Sequence, residues 1–584
     1  MIWRAGAYAQ RVVRWWVGAG ISGPSGHVLS RWLFLRALGV IYFSAFYSLV
    51  FQIRGLLGPN GLLSAGSYLQ EVAKVISGPS RFWYAPTLLW LMSSNGALLA
   101  LCWFGMIAAL LLVWNLWPRA MLAICLVLFL SFVAAAEDFS GYQSDGMLLA
   151  AGFICFFLAP AGLRPGLGEK EPPSRATLFL MRLLWFSIYF ESGMAKYFGG
   201  DSSWRDFSAM NEYYQNGPLP TWIGWYAHQL PSWFHKATAV TTVFTELVVV
   251  SMVFLPRIFR IVCFFFVTLL QIGMILTANY AFLNYLVLAL AIFLLDDVFL
   301  VGFVPPRWRQ AICQRLNIDL GEKSWRKSFS SFRRLPVERP DAPEPDQLSL
   351  FNPSSAAQQV STTAETRATT TTISSWREII SDAVLWTKAL FLAWVLYATL
   401  FLLLQQISPG LPLPSKPVAA LEPFRIANSY GLFGRMTWSR YEIEFQGSHD
   451  GVSWMPYPFR YKPQALNQAP GIYAPYQPRF EWNLWFASLG GWRENPFVLR
   501  AEQQLLLNNP DVLSFFRFNP FAASPPTHVR AVIWQYWFTD RATKKSTGEW
   551  WRRESRGLYA PALKRMPDGK IIVSEWPPGL VPPP

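Results

Sequence analysis

Four ionisable residues sit where an apolar sequence should exclude them. The stretch IYFESGMAKYFGGDSSWRDF, residues 188–207, carries an apolar run through Glu191 to Lys196, and Glu246 lies alone in the next run, TAVTTVFTELVVVSMVFL. Arg182 lies earlier in the first of these runs. A charge at membrane depth costs a few kcal/mol even on lenient insertion scales, so such residues mark either function or a buried pair. Two chemistries fit this set. A desolvated lysine with a lowered pKa acts as a general base, which makes Lys196 the candidate catalytic residue. Alternatively, Lys196 or Arg182 neutralises Glu246 in an ion pair that locks two helices together. Glu191 and Lys196 are five residues apart, a poor spacing for a pair on one helical face, so each is expected to find its partner on another element.

The elements that position these groups are long apolar runs. The chain has 584 residues, 53% hydrophobic and 16% aromatic, with a net charge of +15. Runs approaching the length of a membrane span occur at 32–53, 96–116, 120–136, 147–161, 177–195, 238–256, 258–276, 281–300 and 384–404. The expected fold is therefore a polytopic α-helical membrane protein of about nine spans. With the N-terminal segment 1–31 inside, the connections at 117–119, 161–176, 256–257 and after 297 all carry Arg or Lys, as cytoplasmic loops do. The positive charge is thus assigned to topology, and no nucleic-acid partner is expected.

Residues 32–302 form the expected helical bundle and 303–383 a cytoplasmic basic and low-complexity linker, whose composition cannot bury enough apolar area to order itself. The span 384–404 returns the chain to the outside. Residues 411–584 alternate apolar and polar side chains over short segments such as RYEIEFQG and VRAVIWQYWFTD, with Asp450-Gly451 as a hairpin turn. They predict an extracytoplasmic β-rich, sandwich-like domain with a short helix near 502–507.

Further candidates lie in the outer loops. The loop 199–236 supplies Trp204, Arg205, Asp206, Tyr226 and His228, with its tryptophans read as an interfacial belt, and the loop before the fourth span supplies Gln143 and Asp145. The two histidines at 228 and 235 do not have metal-ligand spacing, and no metal or cofactor is expected. The five cysteines, four of them in apolar runs, read as buried thiols. There is no P-loop, no G-x-S-x-G, no His-Glu zinc motif and no dinucleotide fingerprint.

The strings SGMAKYFGGDSSWRDFSAMNEYY, PLPTWIGWYAHQLPSWFHK, NSYGLFGRMTWSRYEIEFQGSHDG and YQPRFEWNLWFASLG resemble the lipase maturation factor family, here as a bacterial-type member. The resemblance implies a membrane-bound factor that helps exported clients such as lipases to fold and assemble. Relatives in animals work in the endoplasmic reticulum with the C-terminal domain lumenal. For this chain the expected location is a bacterial inner membrane with that domain periplasmic, or the endoplasmic reticulum membrane in a eukaryote. The client-facing surface is placed on Arg435, Arg479, Trp482 and Trp485. The membrane half is also distantly similar to vitamin K-dependent gamma-carboxylase, a resemblance that implies an integral membrane enzyme acting on a lipid-soluble or quinone-like molecule with Lys196 as base.

Overall fold

A computed structural model describes residues 2–18, 26–318 and 376–578. Each apolar run in the sequence is helical. After an amphipathic helix α1 (Ile2–Val17), the chain forms α2 (Val28–Val50), α3 (Asn95–Val113), α4 (Pro118–Val133), α5 (Gln143–Leu158) and α6 (Arg175–Phe198). There follow α7 (Ser232–Leu247), which continues as a 3-10 turn to Phe254, α8 (Arg257–Thr277), α9 (Leu283–Ala291) and α10 (Trp376–Ile407). Local chemistry sets several starts. Ser94 and Ser174 accept from the amides of Ala97 and Thr177 at the N-termini of α3 and α6, and Pro118 opens α4.

Five of the described helical segments, Val28–Val50, Asn95–Val113, Ser232–Phe254, Arg257–Thr277 and Ile380–Ile407, are long and apolar enough to cross a membrane. Three more, Pro118–Val133, Gln143–Leu158 and Leu283–Leu294, are apolar but shorter. At 1.5 Å per residue a 16-residue helix such as α4 measures about 24 Å, short of the roughly 30 Å hydrocarbon core. The helix α6 has 24 residues and carries the charges. Neighbouring helices pack in chain order from α2 and α3 through α6 and α7, with α10 against α6 and α1. Cys102, Cys125, Cys155 and Cys263 are buried free thiols between them. The expected linker starts with a helix, Pro306–Leu316, and the helix α10 begins inside its last residues; its low-complexity stretch lies outside the described residues.

The C-terminal region departs from a sandwich. Its strands β1 (Arg440–Ser448), β2 (Met455–Pro456), β3 (His528–Phe538), β4 (Trp551–Leu558), β5 (Ala562–Arg565) and β6 (Ile571–Glu575) form one sheet in the order β2-β1-β3-β5-β6, with β4 also on β3. Strands β1 and β3 pair in register from Arg440 opposite Tyr536 to Ser448 opposite His528. The layer a sandwich would fill with a second sheet is helical: α11 (Arg479–Ala487) packs on β1 and α12 (Pro496–Leu506) on β3. Alternation in a strand reports that one face is covered, not whether a sheet or a helix covers it. The turn after β1 does form at Asp450-Gly451, where Gly451 has a φ of +76° and Asp450 Oδ1 accepts from the amides of Val452 and Ser453.

Candidate functional site

The helices α6 and α7 approach closely because residue 193 is glycine: a Cβ there would lie 2.9 Å from the Cβ of Glu246. Three residues on, Lys196 Nζ donates to Glu246 Oε1 and Oε2 at 2.9 and 2.8 Å and to the carbonyl of Leu432 at 2.8 Å. Both side chains are buried, and the ring of Trp204 lies 5.4 Å from the ammonium. An ammonium has three protons, and all three are used. The pair is therefore charge-compensated, and Lys196 acts as a base only after giving up these bonds. Arg182 stands apart from it: its guanidinium bonds the carbonyl of Phe293 and the ring of His27, and not Glu246. Of the two proposed partners for Glu246, the sequence could not choose; the geometry selects Lys196.

Leu432 belongs to a segment that the sequence did not single out as an element. Residues 428–437, NSYGLFGRMT, run as a strap across the ends of α5 and α6 and the loop that follows. Tyr430 N donates to Glu191 Oε2 at 2.7 Å, Gly431 N to Gln143 Oε1 at 3.2 Å and Leu432 N to Ser192 Oγ at 3.2 Å. Trp204 Nε1 donates to Phe433 O at 3.0 Å, Met436 N to Asp201 Oδ2 at 2.7 Å and Asn216 Nδ2 to Thr437 O at 2.6 Å. Burial raises the Asp201 carboxyl, and the hydrogen bonds from Met436 and Ser203 more than reverse this, leaving it below its usual range. Gly434 lies flat on Ala195, where a Cβ would come within 2.9 Å of the alanine Cβ, and Phe433 takes a φ of +56°. Glu191 thus meets a main-chain amide of the strap, not Lys196.

The strap separates two cavities. On its bundle side a cavity of about 450 Å³ lies between α6, α7 and α8, lined by Lys196, Glu246, Gln271, Phe266, Leu269 and Gly273 among others. On its other side a cleft of about 850 Å³ opens between the bundle and the β domain. Its walls include Trp482, Trp485, Phe486 and Leu489 on or beside α11, and Arg435 and Phe433 on the strap. Leu283, Leu432 and Phe433 line both spaces and form the partition.

Buried polar contacts clamp the β domain to the bundle. Arg479 forms a bidentate pair with Asp145 at 2.7 and 2.8 Å and also donates to the carbonyl of Phe139, and both side chains of the pair are fully buried. Arg479 is therefore no part of a client-facing surface. Its guanidinium is consumed inside the joint. Asn279, after α8, accepts from the amides of Tyr473 and Ala474 and donates to the carbonyls of Leu219 and Gly471. Arg440 reaches across from β1 to the carbonyls of Gln215, Gly217 and Pro218. Asn279 and Arg440 escaped the sequence reading. Their only signal is that each is a large polar residue within an otherwise apolar or strand-like stretch.

The remaining candidates separate by burial. Trp204 and Trp225 are not belt residues, since each is 1% exposed; Trp225 packs on Trp550 with ring centroids 5.3 Å apart. The loop folds back under the β domain, and this contact takes the place of lipid. Trp222 and Trp233 stay exposed. Arg205 and Asp206 are exposed; Arg205 donates to the carbonyl of Tyr197 at the end of α6, and Asp206 accepts from the amide of Ser208. Tyr226 packs edge-on against Trp225. His228 meets the ring of Phe538 edge-on, and burial, with His235 nearby, lowers its imidazole to about 4. Trp482 and Trp485 are largely buried but present an edge to the cleft, and Trp485 Nε1 donates to the carbonyl of Asn216. Among the described residues no three His, Cys, Asp or Glu side chains are grouped to hold a metal.

Comparison with known proteins follows the same division of the chain. A family model of the lipase maturation factor transmembrane domain matches residues 29–302, and one of the lipase maturation factor C-terminal domain matches residues 426–561. Lipase maturation factor 2 of Gallus gallus is 32% identical over an alignment covering 91% of this chain and 81% of that protein. Lipase maturation factor 2 of Homo sapiens is 30% identical, covering 92% and 83%. Lipase maturation factor 1 of Bos taurus is 29% identical, covering 94% and 91%. No solved structure matches the chain.

Proposed function

The chain belongs to the lipase maturation factor family and is an integral membrane maturation factor for lipases, and from this premise we propose that the cleft between bundle and β domain is where the client is held. The observation that carries the reading is the cleft's lining. A space of about 850 Å³ walled by Trp482, Trp485, Phe486, Leu489 and Phe433 offers a folding client an apolar surface to shelter an exposed segment. Arg435, exposed on the strap at its edge, supplies a charge for orienting that segment. Trp482 and Trp485 serve as rigid aromatic walls, of the kind that dominate binding energy at interfaces.

The same reading fixes a topology. Nine crossings by α2 to α10, with the N-terminus inside, put the β domain and the loop 199–236 on the exported face, supported by Arg119, Arg257 and the basic stretch beginning at Arg307 in the inside connections. In a bacterial cell that face is the periplasm; in a eukaryotic one it is the lumen of the endoplasmic reticulum.

The test is the specific activity of a secreted lipase co-expressed with the full chain. Phe486 and Leu489 are 46% and 45% exposed at the cleft, so aspartate there leaves the core intact. Phe486→Asp with Leu489→Asp is expected to lower the specific activity of secreted lipase by about tenfold, the effect of removing one or two kcal/mol from client binding. Undiminished activity at equal levels of the membrane protein would remove the cleft from the mechanism.

A further inference from the structure

The cavity behind Lys196 is open on one side. Its mouth lies between α7 and α8, where Thr241, Phe266, Leu269 and Gly273 are exposed on a mostly apolar surface. The end of α8 lies beside the β domain, because Thr221 N bonds the carbonyl of Thr277 while Trp222 N bonds that of Pro470. A Cβ built on Gly273 meets nothing within 4 Å, so the absence of a side chain keeps this mouth open. In a bilayer the only bulk phase facing such an opening is lipid.

Size and chemistry narrow the occupant. At about 30 Å³ for a water-sized group, 450 Å³ holds on the order of fifteen such groups, the bulk of a single acyl chain. The walls are mostly apolar; Lys196, Glu246, Gln271 and Asn284 are the strongly polar side chains among them, and Ser192 and several threonines add hydroxyls. Lys196 and Glu246 neutralise each other, and a charged head entering there would be buried without a counter-ion, at a cost of several kcal/mol. Gln271, 3% exposed, uses its amide nitrogen on Tyr189 Oη at 2.7 Å and leaves Oε1 without a partner. Turning the amide over would free the nitrogen instead. A hydroxyl, which both donates and accepts, satisfies either arrangement.

We propose that this cavity binds a membrane lipid that inserts one acyl chain between α7 and α8 and brings an uncharged, hydroxyl-bearing head to Gln271. The site is separate from the client cleft, across the partition formed by Leu432 and Phe433.

The experiment uses the full chain in lipid nanodiscs with a photoreactive monooleoylglycerol, and photoreactive oleate as the charged comparison. Adducts are mapped by peptide mass spectrometry. Monooleoylglycerol adducts are expected on α7 and α8 around the cavity, reduced at least about fivefold by Gly273→Phe, which closes the mouth. Gln271→Leu should bring monooleoylglycerol labelling down to the oleate level. Thr241→Trp closes the opposite lip and replaces Gly273→Phe should that variant unfold. Labelling spread evenly over lipid-facing helices, labelling that survives closure of the mouth, or oleate adducts as abundant as those of monooleoylglycerol would each overturn the proposal.

Discussion

At the residue scale, the decisive contacts are buried charges that belong to different parts of the chain. Asp145 and Arg479 are 334 residues apart in sequence and fully buried together. Removing one partner leaves an uncompensated charge, which costs about 3–5 kcal/mol, whereas replacing both by apolar residues is close to neutral. Arg479→Leu is therefore expected to lower the thermal unfolding midpoint in detergent sharply and Asp145→Leu with Arg479→Leu to recover most of it. The same cycle at Lys196 and Glu246 should behave alike, with Lys196→Met destabilising and Lys196→Met with Glu246→Leu recovering. Outside the bundle, His228 sets a pH dependence of known sign. Burial holds its folded-state imidazole near 4, below its ordinary 6.5, so the stability it contributes is present above about 6.5 and is lost as pH falls from there toward 4. His228→Gln should flatten that part of the unfolding profile. That Glu246 needs a cation from the preceding run was legible, because it is the lone charge in its own run; that the cation is Lys196 and not Arg182 was not. The pairing of Asp145 was not, because nothing in RFEWNLWFA separates an arginine headed for a buried joint from one on a surface.

At the element scale, the strap 428–437 is the feature that joins the two halves of the site. Most of its anchors involve its main-chain groups, so no side-chain pattern announces it, and the sequence offered only a recognisable string. Its physical requirement is visible in retrospect at Gly434, which must lie against Ala195. Gly434→Leu is expected to lift the strap at a cost of about 1–3 kcal/mol, the usual penalty of overpacking. Hydrogen exchange of residues 428–437 should then speed up by roughly ten- to a hundredfold, and unchanged protection would show that the strap is not held by this contact. The helices themselves were legible from apolar runs, to within a few residues at most ends. Of the second layer of the β domain, α12 was legible as a short helix near 502–507, although it starts earlier, at Pro496; α11 was not, because it follows a stretch rich in Tyr and Pro and reads, by alternation alone, much like another strand.

At the scale of the whole molecule, the β domain is a fixed part of the membrane body and not a tethered arm. Arg479, Arg440, Asn279 and the strap each cross the boundary with buried hydrogen bonds. Deleting residues 417–584 would strand Asp145 and Glu191 without these partners. The truncated bundle is expected to lose at least about 3 kcal/mol of stability, measured as loss of monodisperse protein on heating in detergent, where an independently folded bundle would persist. Rigidity of this kind preserves the shape of the cleft proposed as the client site.

The most direct measurement is site-specific photocrosslinking in cells that secrete a lipase. A benzophenone amino acid is placed at Phe486 in the cleft or, for comparison, at Val573 on the edge strand β6, which is exposed outside the cleft. An adduct between newly made lipase and the Phe486 position, absent from the Val573 position and from a background carrying Leu489→Asp, is the predicted result. Equal crosslinking at both positions, or lipase captured only at Val573, would contradict the assignment of the cleft as the client site.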